Sequence, residues 1–241
     1  MSIEKLSQIL KESNNIVFFG GAGISTESGI PDFRSETGLY KTDSGQGYPP
    51  ETMLSHTFFM AHTKDFFRFY KNKMIYTQAK PNLAHLALAS LEKMGKLKAI
   101  VTQNIDGLHQ AAGSKNIYEL HGSIHRNYCT KCHTFYNLDF ILEANDIPKC
   151  TKCGEIVKPD VVLYEESLDD SVIKESVAAI EHANTLIIGG TSLAVYPAAG
   201  LINYFKGTNL ILINKSSTAY DSNANLVIHD SIGKVLSEAL R

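Results

Sequence analysis

Ile16-Val17-Phe18-Phe19-Gly20-Gly21-Ala22-Gly23-Ile24-Ser25-Thr26 is the stretch that decides the fold. Ile16 to Phe19 form an unbroken apolar run of β-branched and aromatic residues, the pattern of a strand buried on both faces in a parallel sheet. Gly20, Gly21 and Gly23 follow, and then a polar segment. A glycine-rich turn between a buried strand and a helix start lets backbone N–H groups approach a phosphate closely. The rest of the chain is read as a set of partners for that turn.

Working outward, Ile3, Leu6 and Leu10 recur at helical spacing among charges, so about Ile3 to Glu12 is an amphipathic helix ahead of the glycine strand. It lacks the continuous apolar centre of a secretory signal, and no apolar run approaches the roughly 18 residues of a membrane span. The expected location is therefore the reducing cytoplasm. Between Ser35 and Lys80, Gly38, Gly45, Gly47, Pro49 and Pro50 mark loops, and Phe58, Phe59, Phe66, Phe67, Phe69, Tyr70 and Tyr76 cluster. This reads as a small helical insert whose aromatics form a satellite core, a cofactor role being the alternative. Pro81 opens a helix with Leu83, Leu86, Ala87, Leu91 and Met94 on one face, and Gly95 stops it.

Leu97 to Thr102, Thr185 to Gly189, Asn209 to Ile213 and Leu226 to His229 read as further strands, with a helix over Ser171 to Ala183 and a closing helix, after the last strand, to Leu240. Alternating strands and helices imply an α/β fold: a Rossmann-like parallel sheet with helices on both faces. Gly20 to Ser25, Gln103 to Asp106, Gly190 to Ser192 and Asn214 all fall just past the carboxyl end of a strand, the edge where open α/β sheets bind ligands. The expected organisation is a Rossmann-like domain from 1–34, 81–125 and 157–241, a helical insert at 35–80 and a zinc-ribbon module at 126–156.

The ribbon rests on Cys129-Thr-Lys-Cys132 and Cys150-Thr-Lys-Cys153, two C-x2-C knuckles 17 residues apart. In a chain kept reduced, this spacing points to one tetrahedral zinc ion rather than to disulfides. Four thiolates leave no open position for a catalytic water, so the metal is structural. His133, beside Cys132, is read as solvent-exposed.

Length and composition fit a soluble globular protein: 241 residues, 44% hydrophobic and 20% charged, with a net charge of −2. That charge gives no basic footprint for nucleic acid, which disfavours a zinc-ribbon nucleic-acid module. The glycine turn fits only the first two glycines of the dinucleotide fingerprint, since Thr26 stands at the third. No acid follows at the end of a second strand to clamp a ribose, so a hydride-transfer oxidoreductase is disfavoured. If a dinucleotide binds, Ser192 and Asn214 are placed to hold its riboses. Asn104 and Asp106 flank Ile105 and read either as a capping turn or as an amide and a carboxylate held over an electrophile. His121, in Glu119-Leu-His-Gly122, reads either as structural or as a general base.

Taken together, these motifs resemble the sirtuins, NAD-dependent protein lysine deacylases. The resemblance is carried by Gly21-Ala-Gly-Ile-Ser25, Gly29-Ile-Pro-Asp-Phe-Arg34, Thr102-Gln-Asn-Ile-Asp106 with Leu108 and His109, Leu120-His-Gly122, both cysteine pairs, Lys158-Pro-Asp-Val-Val162, and Gly190-Thr-Ser-Leu193 with Val195, Pro197 and Ala198. It implies NAD consumed as a co-substrate, acetylated lysine in proteins or peptides as the partner, and a monomer needing neither nucleic acid nor membrane. Gly21, Ala22, Gly23 and Thr26 would cradle the pyrophosphate, with Phe33 and Arg34 on a covering loop. Asn104, Ile105 and Asp106 would take the nicotinamide carboxamide, Gln103 a ribose, and His121 the ribose proton. Gly190, Thr191, Ser192, Asn214, Lys215, Ser231 and Ile232 would hold the adenosine half. The peptide would lie along Val161, Val162, Leu163 and Tyr164, opposite Val195, as an added strand.

Two departures from the family pattern stand out. Glu165 occupies the usual place of a flexible glycine and would favour basic residues beside the target lysine. Tyr70 and Lys73 stand where some sirtuins carry Tyr-x-x-Arg for acidic acyl groups, but lysine lacks the bidentate fork, or is simply a solvated helix residue. The expected activity is deacetylation, with desuccinylation, longer-chain deacylation or mono-ADP-ribosyl transfer in the same site as alternatives.

Overall fold

The computed structural model describes residues 2–36, 38–41 and 47–241; Gly45, read above as a loop glycine, lies outside them. The apolar run forms β1 (Ile16–Gly20), buried at all five positions. It pairs in parallel with β2 (Leu97–Thr102) on one side. β2 in turn pairs with β3 (Ile117–Glu119). In the smaller sheet, β4 (Gly122–Cys129) pairs antiparallel with β5 (Phe135–Tyr136) and with β6 (Val157–Val161). On its other side β1 pairs with β7 (Thr185–Gly189), which is followed outward by β8 (Asn209–Ile213) and β9 (Leu226–Ile228). The large sheet is thus ordered β3-β2-β1-β7-β8-β9 and parallel throughout. This is the doubly wound order, whose reversal beside the first strand opens a crevice at the carboxyl edge.

Alternation along β1 explains the two covered faces. Ile16 and Phe18 join Leu6, Leu10, Leu88, Leu91, Val235 and Leu236 in one core. Those partners come from the helices Ser2–Glu12, Leu83–Lys93 and Ile232–Ala239. Val17 and Phe19 join Ile180, Leu186, Ile188 and Ile202 in the other. That face is covered by the helix Asp170–His182 and the 3-10 turn Ala198–Tyr204.

The helix after Pro81 corrects the sequence reading. Asn82, not Pro81, caps it: its side chain accepts from Ala84 N, and His85 closes the reciprocal capping box. The buried face is Ala84, His85, Ala87, Leu88 and Leu91, while Leu83, Leu86 and Met94 are more than half exposed. The segment is apolar on nearly every side, so the periodicity points to a face of which only Ala87 and Leu91 are buried; small Ala84 and Ala87 are what permit close packing. Gly95 ends the helix with φ +73°. The last strand closes at Ile228, one residue short of the reading.

In the small lobe, the helices Pro50–Met53, His56–Ala61 and Thr63–Lys73 put Phe58, Phe59, Phe66, Phe67, Phe69 and Tyr70 into one core with Ile124 of β4, Ile141 of the helix Leu138–Glu143 and Val157 of β6. The aromatic cluster is therefore packing, with edge-to-face contacts such as Phe59 with Phe66 at 5.0 Å between centroids. None of β3 to β6 is among the strands expected from the sequence. β3 is only three half-buried residues long. β4 carries a register irregularity between Ser123 and Asn127 that breaks its period-2 pattern.

Candidate active site

A cleft of about 750 Å³ lies along the carboxyl edge of the large sheet, lined on the far side by the insert and the end of β6. Its floor begins at the glycine turn, which becomes a 3-10 helix over Ala22–Ser28. Gly23 N donates to Gly190 O at 2.7 Å, so the turns after β1 and β7 lie against each other. A Cβ on Gly23 would stand 2.7 Å from Gly190 Cα, and one on Gly190 would meet Ile24 N at 2.3 Å. Gly190 also has φ +62°, a left-handed conformation that glycine adopts freely. Thr26, at the third glycine position of the fingerprint, donates its hydroxyl to Gly23 O at 2.9 Å. Glycine at two turns keeps side chains off this part of the cleft wall and leaves room for a bound pyrophosphate, while Gly21 N, Gly23 N and Gly190 N themselves donate to Gly189 O, Gly190 O and Ile213 O.

Asn104, Asp106 and Ser25 form one hydrogen-bonded cluster. Ser25 Oγ donates to Asp106 Oδ2 at 2.6 Å, and Asn104 Nδ2 donates to Ser25 Oγ at 3.0 Å and to Asp106 Oδ2 at 3.3 Å. Asp106 Oδ1 accepts from Leu108 N at 2.9 Å. Each carboxylate oxygen of Asp106 thus already accepts, which suits it to hold an amide in place better than to abstract a proton. Ser25 is a residue that the sequence reading left without a role, although it stands in the glycine motif itself.

His121 lines the same cleft. Its Nδ1 lies 3.0 Å from Gln103 O, and because a carbonyl only accepts, Nδ1 carries the proton and Nε2 keeps its lone pair. Burial pushes the His121 pKa below the ordinary histidine range, opposed in part by that carbonyl. The ring is accordingly neutral at neutral pH, the state a general base requires. Gln103 Nε2 donates to Thr191 Oγ1 at 3.1 Å, linking the β2 and β7 loops.

At the β8 end, Asn214 is buried; its Oδ1 accepts from Thr191 N at 3.1 Å, and its Nδ2 has no partner among the described residues. Gly21, Ala22, Phe33, Arg34, Ile105, Gly190, Thr191, Ser192, Lys215 and Ile232 also line the cleft. Ser231 does not; its N donates to Asp230 Oδ1. Phe33 packs edge-on to Tyr40, and the Arg34 guanidinium lies 5.3 Å over the same ring.

Val161, Val162, Leu163, Tyr164 and Val195 are cleft residues as well. The Tyr164 backbone is bridged to the insert, its N donating to Leu54 O and its O accepting from His56 N, both at 2.9 Å. Glu165 has φ +76°, the conformation that makes glycine usual there. Its Oε2 accepts from Thr57 N at 2.8 Å and Thr57 Oγ1 at 2.7 Å, and these bonds hold its pKa below the usual carboxylate range. The carboxylate is thus already engaged at the start of the helix His56–Ala61. Lys73 reaches the cleft, but Tyr70 is fully buried and its hydroxyl has no partner among the described residues.

The four cysteine sulfurs lie within 4.8 Å of one another. Cys129 Sγ is 3.4 Å from Cys153 Sγ, and Cys132 Sγ is 3.5 Å from Cys150 Sγ. These separations are far too long for disulfides and near the roughly 3.8 Å edge of a tetrahedron with Zn–S bonds of about 2.3 Å. The Tyr136 hydroxyl donates to Cys150 Sγ at 3.2 Å, and Cys132 N donates to Cys129 Sγ at 3.4 Å. Such donors orient thiolate ligands, and the set fits one zinc ion. His133 is exposed.

A buried histidine pair escaped the sequence reading. His109 is 1% exposed with neither ring nitrogen hydrogen-bonded among the described residues, and the His85 ring lies 4.8 Å from it. Burial, and then the neighbouring His85, push the His109 pKa down to about 3.

A parallel sheet in doubly wound order, a glycine cradle, a histidine with a free Nε2 and a four-thiol ribbon define a dinucleotide-cleft protein with a structural metal lobe. A profile of the Sir2 family matches residues 21–197. A Clostridium acetobutylicum protein named NAD-dependent protein deacetylase is 69% identical over 239 residues, 99% of this chain and 98% of the relative. A protein of the same name from Clostridium perfringens is 68% identical over the same shares. Among solved structures, a Sir2–p53 peptide–NAD+ complex superposes with a TM-score of 0.85 at 39% identity, covering 98% of this chain and 96% of that one. A Sir2 variant bound to deacetylated p53 peptide and 3′-O-acetyl-ADP-ribose gives 0.91 at 38% identity, covering 100% and 98%. The chain belongs to the Sir2 family.

Proposed function

We propose that this protein removes acetyl groups from protein lysine side chains at the expense of NAD. The products are free lysine, nicotinamide and 2′-O-acetyl-ADP-ribose, with one water consumed. The observation that carries the reading is His121: it shares the cleft with the Asn104–Asp106 cluster and the Val161–Tyr164 segment, and its Nδ1 bond to Gln103 O leaves Nε2 free. Bound NAD supplies a ribose carbon activated by a leaving nicotinamide and a neighbouring hydroxyl to receive the acyl group. The Gly21–Gly23 backbone and Thr26 hold the pyrophosphate, while Phe33 and Arg34 cover it. Asn104, Ile105 and Asp106 fix the carboxamide, with Ser25 locking their side chains. His121 takes a ribose hydroxyl proton at Nε2, and Gln103 positions that ribose. Gly190, Thr191, Ser192, Asn214, Lys215 and Ile232 bind the adenosine half, with Ser231 supporting from outside the cleft.

The acetylated segment adds as a strand between Val161–Tyr164 and the loop at Val195, its main-chain hydrogen bonds replacing those of Tyr164 to Leu54 and His56, so the backbone supplies affinity and sequence selectivity is loose. Lys73 gives a positive charge at the acyl end, which supports weak desuccinylation; with Tyr70 sealed in the core, a two-residue grip on an acidic acyl group has little support. Mono-ADP-ribosyl transfer is the second reading of the same cleft. The protein acts as a cytoplasmic monomer, with zinc holding the ribbon and taking no part in the chemistry.

His121→Ala, assayed with acetyl-lysine peptide and NAD, is expected to lower turnover by about 10²–10⁴-fold with fold and zinc content retained. Turnover within a few-fold of the parent would remove the assigned base. ADP-ribosylated protein without O-acetyl-ADP-ribose among the products of the parent would replace deacetylation by the second reading.

A further inference from the structure

The β8 end of the cleft is built from hydrogen-bond donors. Asn214 is 7% exposed, its oxygen is used by Thr191 N, and its unpartnered Nδ2 is a donor with no acceptor among the described residues. Lys215, Ser216, Ser217 and Thr218 follow it along the same cleft wall. Among the described residues Lys215 has no hydrogen bond or ion pair, so its ammonium is available there. Dinucleotide sites that select the unphosphorylated adenosine ribose place a carboxylate against the 2′-hydroxyl, which accepts from the hydroxyl and repels a phosphate. Here that chemistry is reversed: a buried amide N–H, a cation and two exposed serine hydroxyls.

The neighbouring carboxylates are held elsewhere. Asp221 Oδ1 accepts from Thr218 N and Oγ1, and its Oδ2 pairs with His229 Nε2 at 3.1 Å. Asp230, close enough to Lys215 to feel its charge, accepts from Ser231 N and pairs with Lys234 at 2.7 Å. Neither lines the cleft.

We propose that this end of the cleft accepts a nicotinamide dinucleotide phosphorylated on its adenosine ribose, the NADP class, as a ligand competing with NAD. The inference rests on the dinucleotide reading above and deepens it. A 2′-phosphate carries close to two negative charges and three acceptor oxygens, which Asn214 Nδ2, the Lys215 ammonium and the serine hydroxyls complement.

Calorimetry on the whole zinc-loaded chain with ADP-ribose and 2′-phospho-ADP-ribose tests it without turnover. The phosphorylated ligand is expected to bind within about threefold of ADP-ribose or tighter at low salt, and to lose more affinity as salt screens the contact. Lys215→Glu is expected to weaken the phosphorylated ligand at least about tenfold more than ADP-ribose, since it turns a charge-assisted donor into a repelling acceptor. If ADP-ribose binds and the phosphorylated ligand is more than about thirtyfold weaker, roughly 2 kcal/mol, the inference fails while the dinucleotide reading stands. Equal losses for both ligands in Lys215→Glu would also overturn it. If neither ligand binds the parent protein, both fall together.

Discussion

The six-stranded sheet is enclosed on both faces by aliphatic side chains from five helical segments, whereas the three-stranded sheet ends in four thiols and has one strand of only two residues. The larger lobe gains its stability from apolar burial. The smaller lobe has a sound half, where phenylalanines of the insert pack on Ile124, Ile141 and Val157, and a half around Cys132 and Cys153 that is exposed. Small sheets of this kind rarely fold on a hydrophobic core alone, and a metal supplies the missing cross-links. Yet the cleft takes residues from both lobes. The contrast therefore separates perturbations that melt one wall from those that spoil the other while it stays folded.

Zinc removal should give the largest effect. Chelation, or Cys129→Ser with Cys150→Ser, is expected to unfold the ribbon, expose the free thiols to titration and abolish deacetylation, with the parallel sheet retained by circular dichroism. Full activity in the metal-free protein would show that the ribbon is held by its aromatic core instead.

Next in size is Gly190→Ala, which strikes the other lobe. The left-handed backbone costs roughly 1–3 kcal/mol, and the 2.3 Å approach to Ile24 N forces the two turns apart. Loss of dinucleotide affinity with unchanged zinc content is expected; unchanged affinity would mean that the cradle does not hold the phosphates.

The smallest effect is a pH dependence of the larger lobe. His109, at about 3 in the folded state against about 6.5 unfolded, binds its proton only in the unfolded chain across that window. Its folded value is depressed, so stability is full above about 6.5 and falls with pH below it, by up to about 1.4 kcal/mol per pH unit. His85 is shifted the same way by burial, with Asp106 and Glu27 opposing. The Tm of the parent protein should therefore drop between pH 7.5 and pH 5, and His109→Phe should flatten that drop. An identical acid slope in the variant would assign it to other groups.

The same contrast explains what could be read from the sequence. β1, β2, β7 and β8 were legible because strands buried on both faces are continuous apolar runs, and their carboxyl ends announce themselves by glycine, asparagine and serine. The thiol cluster was legible because two C-x2-C knuckles fix the ligand geometry locally. β3, β4, β5 and β6 were not: β3 and β5 are very short, β4 is irregular, β6 carries Lys158, Pro159 and Asp160 in its interior, and their pairing is set by distant partners. The helix at Leu83–Lys93 has apolar residues on nearly all sides, so its buried face was decided by what packs against it. Ser25 and His109 lay in motifs already noticed, but their roles depend on partners about 80 and 25 positions away, Asp106 and His85 respectively.

One short connection ties the two lobes to the chemistry. Leu120 N donates to Thr102 O of the large sheet, and the carbonyl of His121 accepts from Val162 N beyond the small one. Gly122 follows with φ +75°, and a Cβ there would stand 1.9 Å from Asp160 O. The histidine is thus suspended between two scaffolds by the peptide units Glu119–Leu120 and His121–Gly122, which leaves little slack on either side. Its position is a measurement of the distance between the sheets, so a cleft that gapes or slides withdraws the base. A residue inserted between the cysteine knuckles is accordingly expected to be tolerated, whereas a single residue added between Glu119 and Gly122 is expected to displace the base.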